Sequence, residues 1–410
     1  MPLVLTRQDE ALLDGDAGDG VALAMRVMVR TAAAMGAGHL LDVTSAHIDG
    51  CLYHGRAGLD FVRALVEGGA RTVVPATLNV ASLDLLHPDL MRVDPEVAAE
   101  ARTQMDAYVD LGCRPTWTCA PYQLPVRPAF GEQVAWAESN AIVFANSVLG
   151  ARTERYGDFI DIAAAITGRA PAVGLHLDGG RLATLAVSVE AVSALCDDDA
   201  FYPLLGHVLG LVAGSRVAAV VGLPTGTSED RLKAIGASAA ASGAVGMFHA
   251  VGITPEAPDL VTATGGAAVP EFSVQLSDLD SAAAALTTTT ERRVDAVSVG
   301  TPHYSASEMR RLAELVDART VAVPLYVNTS RDVLEQIGEL AGALAGAGVR
   351  IVTDTCTYIT PILDPDARVV MTDSAKWAYY APANLGVDVV FGSLQACVEA
   401  AISGQAGTPW

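Results

Sequence analysis

Six cysteines stand at Cys51, Cys113, Cys119, Cys196, Cys356 and Cys397, too few and too dispersed for a disulfide scaffold in a chain of 410 residues. Taken singly, each is expected to be a small buried hydrophobe. Taken together, Cys119, Cys356 and Cys397 lie in or beside polar loops, and three such thiolates could hold an iron-sulfur cluster. Three protein ligands would leave an iron open to act as a Lewis acid on a substrate hydroxyl. Cys113 and Cys119, in "GCRPTWTCAPYQ", have the spacing of neither a C-x-x-C redox pair nor a zinc knuckle. His47 and His54, in "TSAHIDGCLYHG", could join Asp49 around a metal. No H-E-x-x-H spacing supports that, so one histidine touching substrate and one structural is the simpler expectation. Lys376 in "DSAKWAYYAPANLG", Arg152 in "GART" and Arg331 in "NTSR" are candidate partners for a substrate carboxylate. The head of "SNAIVFANSVLGA", with Glu138, Ser139 and Asn140, could hold an anion at a helix N-terminus. No P-loop and no G-x-G-x-x-G in strand-turn-helix context is present, which argues against nucleotide-dependent chemistry.

Side chains this scattered need a scaffold that gathers loops, and the pattern supplies one. In the C-terminal half, β-rich runs alternate with helical runs, as in βαβ units with a mainly parallel sheet. "VDAVSVGTPH" reads as a strand ending at Gly300, "SASEMRRLAELVDA" as a helix capped by Ser305 or Ser307, and "TVAVPLYVNTS" as a strand. "RDVLEQIGELAGALAGAG" reads as one helix closed by Gly348. "RIVTDT", "RVVMTDS" and "VDVVFG" read as strands, "AKWAYYA" and "SLQACVEAAI" as helices. The motifs "GTPHYS", "NTSR", "DTC", "TDSAK" and "FGS" all fall just past strand ends, on the carboxyl edge where α/β sheets bind ligands. Earlier in the chain, "VALAMRVMVRTAAAMGA", "GLDFVRALVEGG" and "DPEVAAEARTQMDAYVDLG" read as helices, "HLLDVTSAH" and "RTVVPATLNV" as strands. "LKAIGASAAASGAVGMFHAVG" reads as a helical pair, and "SAAAALTTTTERR" as a connection between lobes. The expected fold is α/β, in several α/β/α lobes with mainly parallel sheets.

Composition narrows the partners. A formal charge of -21, from 26 basic and 47 acidic residues, would repel nucleic acid and anionic membrane surfaces. The N-terminus, "MPLVLTRQDEALLDGD", lacks a basic leader followed by an apolar run, so the chain is expected in the cytoplasm. The apolar run from Gly206 to Pro224 is broken by Ser215 and Arg216, and fits core segments rather than a membrane span.

The runs "SAHIDGCLYHG", "VPATLNVASLD", "TCAPY", "WAESNAIVFANSVLGART", "GMFHAVGITPEAP", "GTPHYS", "VNTSR", "TDTC", "DSAKWAYYAP" and "GSLQACVEAA" together resemble the large catalytic portion of aconitase X, a divergent branch of the aconitase superfamily. The resemblance implies a hydro-lyase of three α/β lobes, taken at residues 1–155, 156–290 and 291–410, around an iron-sulfur cluster, [2Fe-2S] or [4Fe-4S]. Its ligands would be Cys119, Cys356 and Cys397, with Cys113 or Cys51 as replacements. Lys376, His47 and Ser139 would be catalytic, and Thr77, Asn79, Glu138, Asn140, Arg152, His303 and Ser374 would bind substrate. Bacterial members dehydrate cis-3-hydroxy-L-proline, and archaeal relatives 5-phosphomevalonate; the sequence looks like the bacterial kind. The family's serine base sits on a small swivelling domain not seen in this sequence, and is therefore expected on a partner subunit. Rivals are a phosphorylated hydroxy acid as substrate, a non-catalytic scaffold, and a zinc or manganese lyase using His47 and His54.

Overall fold

In the computed structural model, which describes residues 3–407, the chain divides into two compact units. One comprises the residues up to Leu83 with Val93–Leu182; the other comprises Asp84–Arg92 with the residues from Ala183 onward.

The first unit carries β1 (Leu40–Asp42), β2 (Ala46–Ile48), β3 (Ala76–Leu78), β4 (Ala135–Trp136) and β5 (Arg169–Pro171). The stretch "HLLDVTSAH", expected as one strand, is two: β1 pairs antiparallel with β5, while β2 lies between β3 and β4 in a parallel sheet. The chain turns between them at Val43–Ser45, where Thr44 donates its N–H to the Gln133 carbonyl at 2.9 Å. The helix Asp19–Ala34 buries Val21, Met25, Met28 and Ala32, an i, i+4, i+7 stripe. The helix Pro95–Asp110 opens on Asp94, whose carboxylate accepts the Glu96 N–H at 2.9 Å, with proline at its first position.

The second unit carries two wholly parallel sheets. In the first, β6 (Leu185–Ser188), β7 (Ala218–Val221), β8 (Phe248–Ala250) and β9 (Glu271–Ser273) take the order β8-β7-β6-β9. In the second, β10 (Ala296–Tyr304), β11 (Leu325–Thr329), β12 (Val349–Val352), β13 (Val369–Thr372) and β14 (Asp388–Phe391) take the order β12-β11-β10-β13-β14. The apolar run becomes the buried helix Phe201–Ala213 followed by β7, and no described helix is long and apolar enough to cross a membrane. "GAVGMFHAVG", expected as the second half of a helical pair, supplies β8 instead, since Phe248, His249 and Ala250 are all buried between neighbouring layers. "RDVLEQIGELAGALAGAG" is two helices, Arg331–Ile337 and Glu339–Gly346, broken where Gly338 takes φ +53°. The threonine run after the helix Leu276–Ala285 lies along β14, exchanging two hydrogen bonds between Thr288 and Val389, which closes that sheet edge.

Helices of the second unit repeatedly open on serine: Ser228, Ser305, Ser330, Ser374 and Ser393 each accept a backbone N–H from the first turn. Ser305 and Glu308 complete a reciprocal capping box. Such caps fix where each helix starts, and so which residues stand at the carboxyl edge.

β10 does not end at Gly300. It runs on to Tyr304 through a register shift against β11, and Gly300 makes the shift possible: it has φ +85°, and a Cβ there would sit 2.3 Å from the Asn328 carbonyl oxygen. Gly300→Ala is expected to destabilise the chain by about 3 kcal/mol, combining left-handed strain with overlap. Gly342→Ala, in an exposed helix with open space around it, is expected to gain about 0.5–1 kcal/mol. Urea unfolding of the two variants checks both signs.

Candidate functional site

In the first unit the carboxyl ends of β2, β3 and β4 present Asp49, Asn79 and Glu138. His47 and Thr77 are register partners on β2 and β3, with Nδ1 and Oγ1 2.8 Å apart. Burial drives the His47 pKa down to about 3, so the ring is neutral. Asn79 donates its side-chain amide to Asp49. Asn140 gathers the rest: it donates to the Cys119 carbonyl at 3.0 Å and to the Glu138 carboxylate, and accepts the Tyr122 hydroxyl at 2.5 Å. Cys119 is thereby held, buried, against the head of the helix Ser139–Phe144. At that head the chain supplies a carboxylate of its own. The Glu138 carboxylate already occupies it, accepting the Ala141 N–H at 2.8 Å, with the Ser139 hydroxyl at 3.2 Å.

Two further expectations for this unit are corrected. Arg152 lies beside Gln133, at the amino end of β4, and its guanidinium is committed to Asp178 at 2.5 Å and to the His176 carbonyl. It is therefore not placed with Glu138 and Asn79. His54 is exposed while His47 is fully buried, and among the described residues His54 belongs to no metal-binding group. Cys51 donates to the Ile48 and Asn79 carbonyls at 3.4 Å, a hydrogen-bonded thiol whose pKa burial pushes well up. Burial raises Cys113 likewise.

In the second unit, Cys356 follows β12 in a buried loop built from threonines. Thr353 donates both its N–H and its hydroxyl to Asp84, at 2.8 and 2.9 Å. Thr357 donates its N–H to Asn328 at 3.1 Å, and its hydroxyl meets Ser298 at 2.6 Å and the Trp377 indole at 3.1 Å. His303, on β10, places a ring nitrogen within 4.8 Å of the Cys356 sulfur, both residues buried. Its Nε2 is 3.1 Å from the Thr355 carbonyl, so Nε2 carries the hydrogen and Nδ1 the lone pair. Burial first, then the nearby Lys233 and Lys376 charges, bring its pKa down to about 4 despite that hydrogen bond, which keeps the imidazole neutral. A neutral imidazole beside a thiol, each oriented by a surrounding shell, is a donor set suited to a transition metal or cluster.

Cys397 does not join them. It sits in the apolar cluster of the last sheet with Val299, Met371, Val390 and Val398, and burial, with the Asp373 charge, pushes its pKa well up. Among the described residues it belongs to no group of converging ligand atoms. Lys376 is buried in the first turn of the helix Ala375–Leu385, which Ser374 caps; the Ser374 hydroxyl also donates to the Thr301 carbonyl. Both stand where β10 and β13 diverge, the switch point of the β12-β11-β10-β13-β14 order.

Asp354, expected with Thr353 and Thr355 to support Cys356, pairs with Arg331 in that loop. Residues absent from the sequence reading also stand out: Asp84 organises the same loop, and Lys233 bridges Glu308 and Asp230 inside the unit. Asp49 was visible only as a possible metal ligand; its position one residue past β2 follows the same edge rule as the other motifs.

The chain is similar to known proteins over nearly all its length. Profiles described as the aconitase X first, second and third domains match residues 2–179, 183–284 and 294–403. The cis-3-hydroxy-L-proline dehydratase of Pseudomonas aeruginosa is 46% identical over 98% of this chain and 70% of its own length. That of Hypocrea jecorina is 43% identical over 98% and 69%. The phosphomevalonate dehydratase large subunit of Methanosarcina mazei is 35% identical over 98% of both chains. The crystal structure of holo-form aconitase X from Thermococcus kodakaraensis superposes with a TM-score of 0.87 at 31% identity, covering 97% of this chain and all of that one.

Asp49 yields a pH prediction. Burial, then the Glu138, Asp158 and Asp161 charges, raise its pKa from 3.8 to about 8, against the opposing Asn79 hydrogen bond. Between those values the folded chain holds a proton that the unfolded chain has released, so this group's stability contribution falls as pH rises from about 4 to 8. Asp49→Asn is expected to flatten the decline of the thermal midpoint across that window. Parallel melting curves at pH 5, 6.5 and 8 check it.

Proposed function

Because this chain belongs to the aconitase X family, we propose that it is the large, cluster-bearing part of a hydro-lyase that dehydrates cis-3-hydroxy-L-proline to Δ1-pyrroline-2-carboxylate. The observation that carries the substrate is the 46% identity to the Pseudomonas dehydratase across 98% of the chain, against 35% to the Methanosarcina phosphomevalonate enzyme. The thiolates we assign to an iron-sulfur cluster are Cys119 and Cys356, on the resemblance of their loops, with the His303 imidazole beside Cys356 in support. Such a cluster, of two or four irons, supplies a Lewis acid for the departing hydroxide. Cys397 is reassigned to the core.

The chain's own residues have three tasks. The Lys376 ammonium neutralises the substrate carboxylate, since an α-carbon flanked by a charged carboxylate gives up its proton poorly. Neutral His47, held by Thr77, and the amides of Asn79 and Asn140 orient the ring. Glu138 and Ser139, joined at 3.2 Å, stand at the edge of the first sheet as proton-holding groups. The base that removes the C2 proton is assigned to a serine on a small swivelling subunit, in keeping with the "large subunit" in the archaeal relatives' names. A cytoplasmic location accords with oxygen-sensitive cofactor chemistry.

The test is co-expression with a small partner subunit under anaerobic conditions. The expected product is a brown, iron-containing protein that turns over cis-3-hydroxy-L-proline and not 5-phosphomevalonate; the reverse preference would sink the substrate assignment. Lys376→Met is expected to lower kcat about 10²–10³-fold with visible absorption intact. Cys356→Ser is expected to lose iron and colour while the protein stays folded.

A further inference from the structure

Near the carboxyl edge of the last sheet, the second unit contains two neighbouring spaces. A cleft of about 230 Å³ reaches the surface between exposed Asp199 and Arg311. A smaller chamber of about 60 Å³ lies beside it, lined by Lys233, which is paired with Glu308 and Asp230, and by Ser238, Thr301, Ser374 and Lys376. The two share Pro203, Ala234, Tyr304, Glu308 and Asp373 in their walls.

The chamber is polar in a way that its protein atoms do not satisfy. The Ser238 hydroxyl and the Thr301 hydroxyl are buried and lack hydrogen-bond partners, as does Oδ1 of Asp373. The other carboxylate oxygen of Asp373 accepts the Tyr304 hydroxyl. Three unmet polar groups around one space are unfavourable if left dry. A space of 60 Å³ accommodates about two waters, and each water needs two to four polar neighbours, which these groups and Lys376 supply.

We propose that the chamber is a built water site joining Asp373 to Lys376, and that Asp373 is a positioning residue that holds the Lys376 ammonium charged and aimed at the substrate carboxylate. The proposal rests on the placement of Lys376 in the active site argued above. Asp373 is faced by Tyr304 from β10, Lys233 from the helix Glu229–Ser242, Glu308 from the helix Ala306–Val316, Asp199 from the loop before Phe201, and Cys397 from the helix Leu394–Ser403. Burial raises its pKa to about 6 against the Tyr304 hydrogen bond. The water-bridged pair therefore exists above about pH 6 and is lost below it, as the carboxylate takes a proton.

The experiment uses the holoenzyme with its partner subunit. A high-resolution crystal structure is expected to show ordered water within hydrogen-bond reach of Ser238 Oγ, Thr301 Oγ1 and Asp373 Oδ1. A dry or collapsed chamber would overturn the proposal independently of any assay. In kinetics, wild type is expected to lose kcat/KM below about pH 6, and Asp373→Asn to show no such acid limb, with a plateau about tenfold lower and unchanged visible absorption. Ser238→Val, which removes a hydroxyl without a charge, is expected to lower kcat/KM several-fold while keeping the acid limb. An acid limb that persists in Asp373→Asn, while Lys376→Met is inactive, would sink this inference and spare the reading of Lys376. Activity in Lys376→Met would sink that reading, and this inference with it.

Discussion

The loop that carries Cys356 depends on one ion pair between a buried aspartate and a half-buried arginine. Asp354 sits in the left-handed region at φ +61°, a conformation that costs a non-glycine residue about 1–2 kcal/mol. It is fully buried, and Arg331 meets it bidentately, both nitrogen-oxygen distances at 2.6 Å. The Leu85 N–H adds a third bond at 3.0 Å. Remove the guanidinium and a strained, buried carboxylate loses its counter-charge, which in other proteins costs about 3–5 kcal/mol. The left-handed residue is what turns the chain off β12, so Thr353 can face Asp84 and Thr355 can offer its carbonyl to His303. A metal ligand is only as well placed as the shell that holds it, and here the shell is an ion pair, an aspartate from residues 84–92 and four threonine hydroxyls.

The strand orders explain why the polar groups collect where they do. In each of the three parallel sheets the first strand in sequence becomes an inner strand, with later strands added first on one side and then on the other. The chain then leaves neighbouring strand ends in opposite directions, and a crevice opens between the outgoing loops. In the second unit that crevice lies between β10 and β13, and the helices beginning after them are capped by Ser305 and Ser374. The alternation of a strand sends His303 and Tyr304 to opposite sides of β10, one toward Cys356 and the other toward Asp373. The register shift at Gly300 is what carries β10 far enough to present both.

Periodicity and capping made the architecture readable in advance. Strand runs such as "VDVVFG" and capped helices such as "SASEMRRLAELVDA" carry their own local signals, and the structure keeps them. The losses fall where long-range contact overrides local pattern. "GMFHAVG" is a strand because β7 is available to pair with it, which no local feature announces. "HLLDVTSAH" splits because β5, about 130 positions away, takes its first half. In the site, the edge rule placed Ser374 and Lys376 at the end of β13, where the structure has them, whereas His303, expected past a strand end, lies inside the longer β10. It failed for Arg152, whose motif begins at the wrong end of β4, and for Cys397, which is one turn inside its helix and faces the core. It could not find Asp84 or Asp373's empty oxygen, because both are defined by partners distant in sequence.

Charge bears on which hydroxy acid such a site would favour. At net -21 the chain repels anions at long range, although salt screens this beyond about 8 Å. Hydroxyproline is a zwitterion with no net charge and meets little of that barrier. A phosphorylated hydroxy acid carries a carboxylate and a phosphate of about -1.5 to -2, and would need a dedicated cationic pocket. The described cations near the last sheet's edge are mostly committed: Lys233 to Glu308 and Asp230, Arg331 to Asp354, Arg231 to Asp199. Lys376 is buried at the switch point, where a single ammonium suits one carboxylate rather than a carboxylate and a phosphate together, whatever its partners within the chain. The same balance that excludes polyanions thus supports the smaller substrate, with recognition resting on a few buried groups at short range instead of an attractive field.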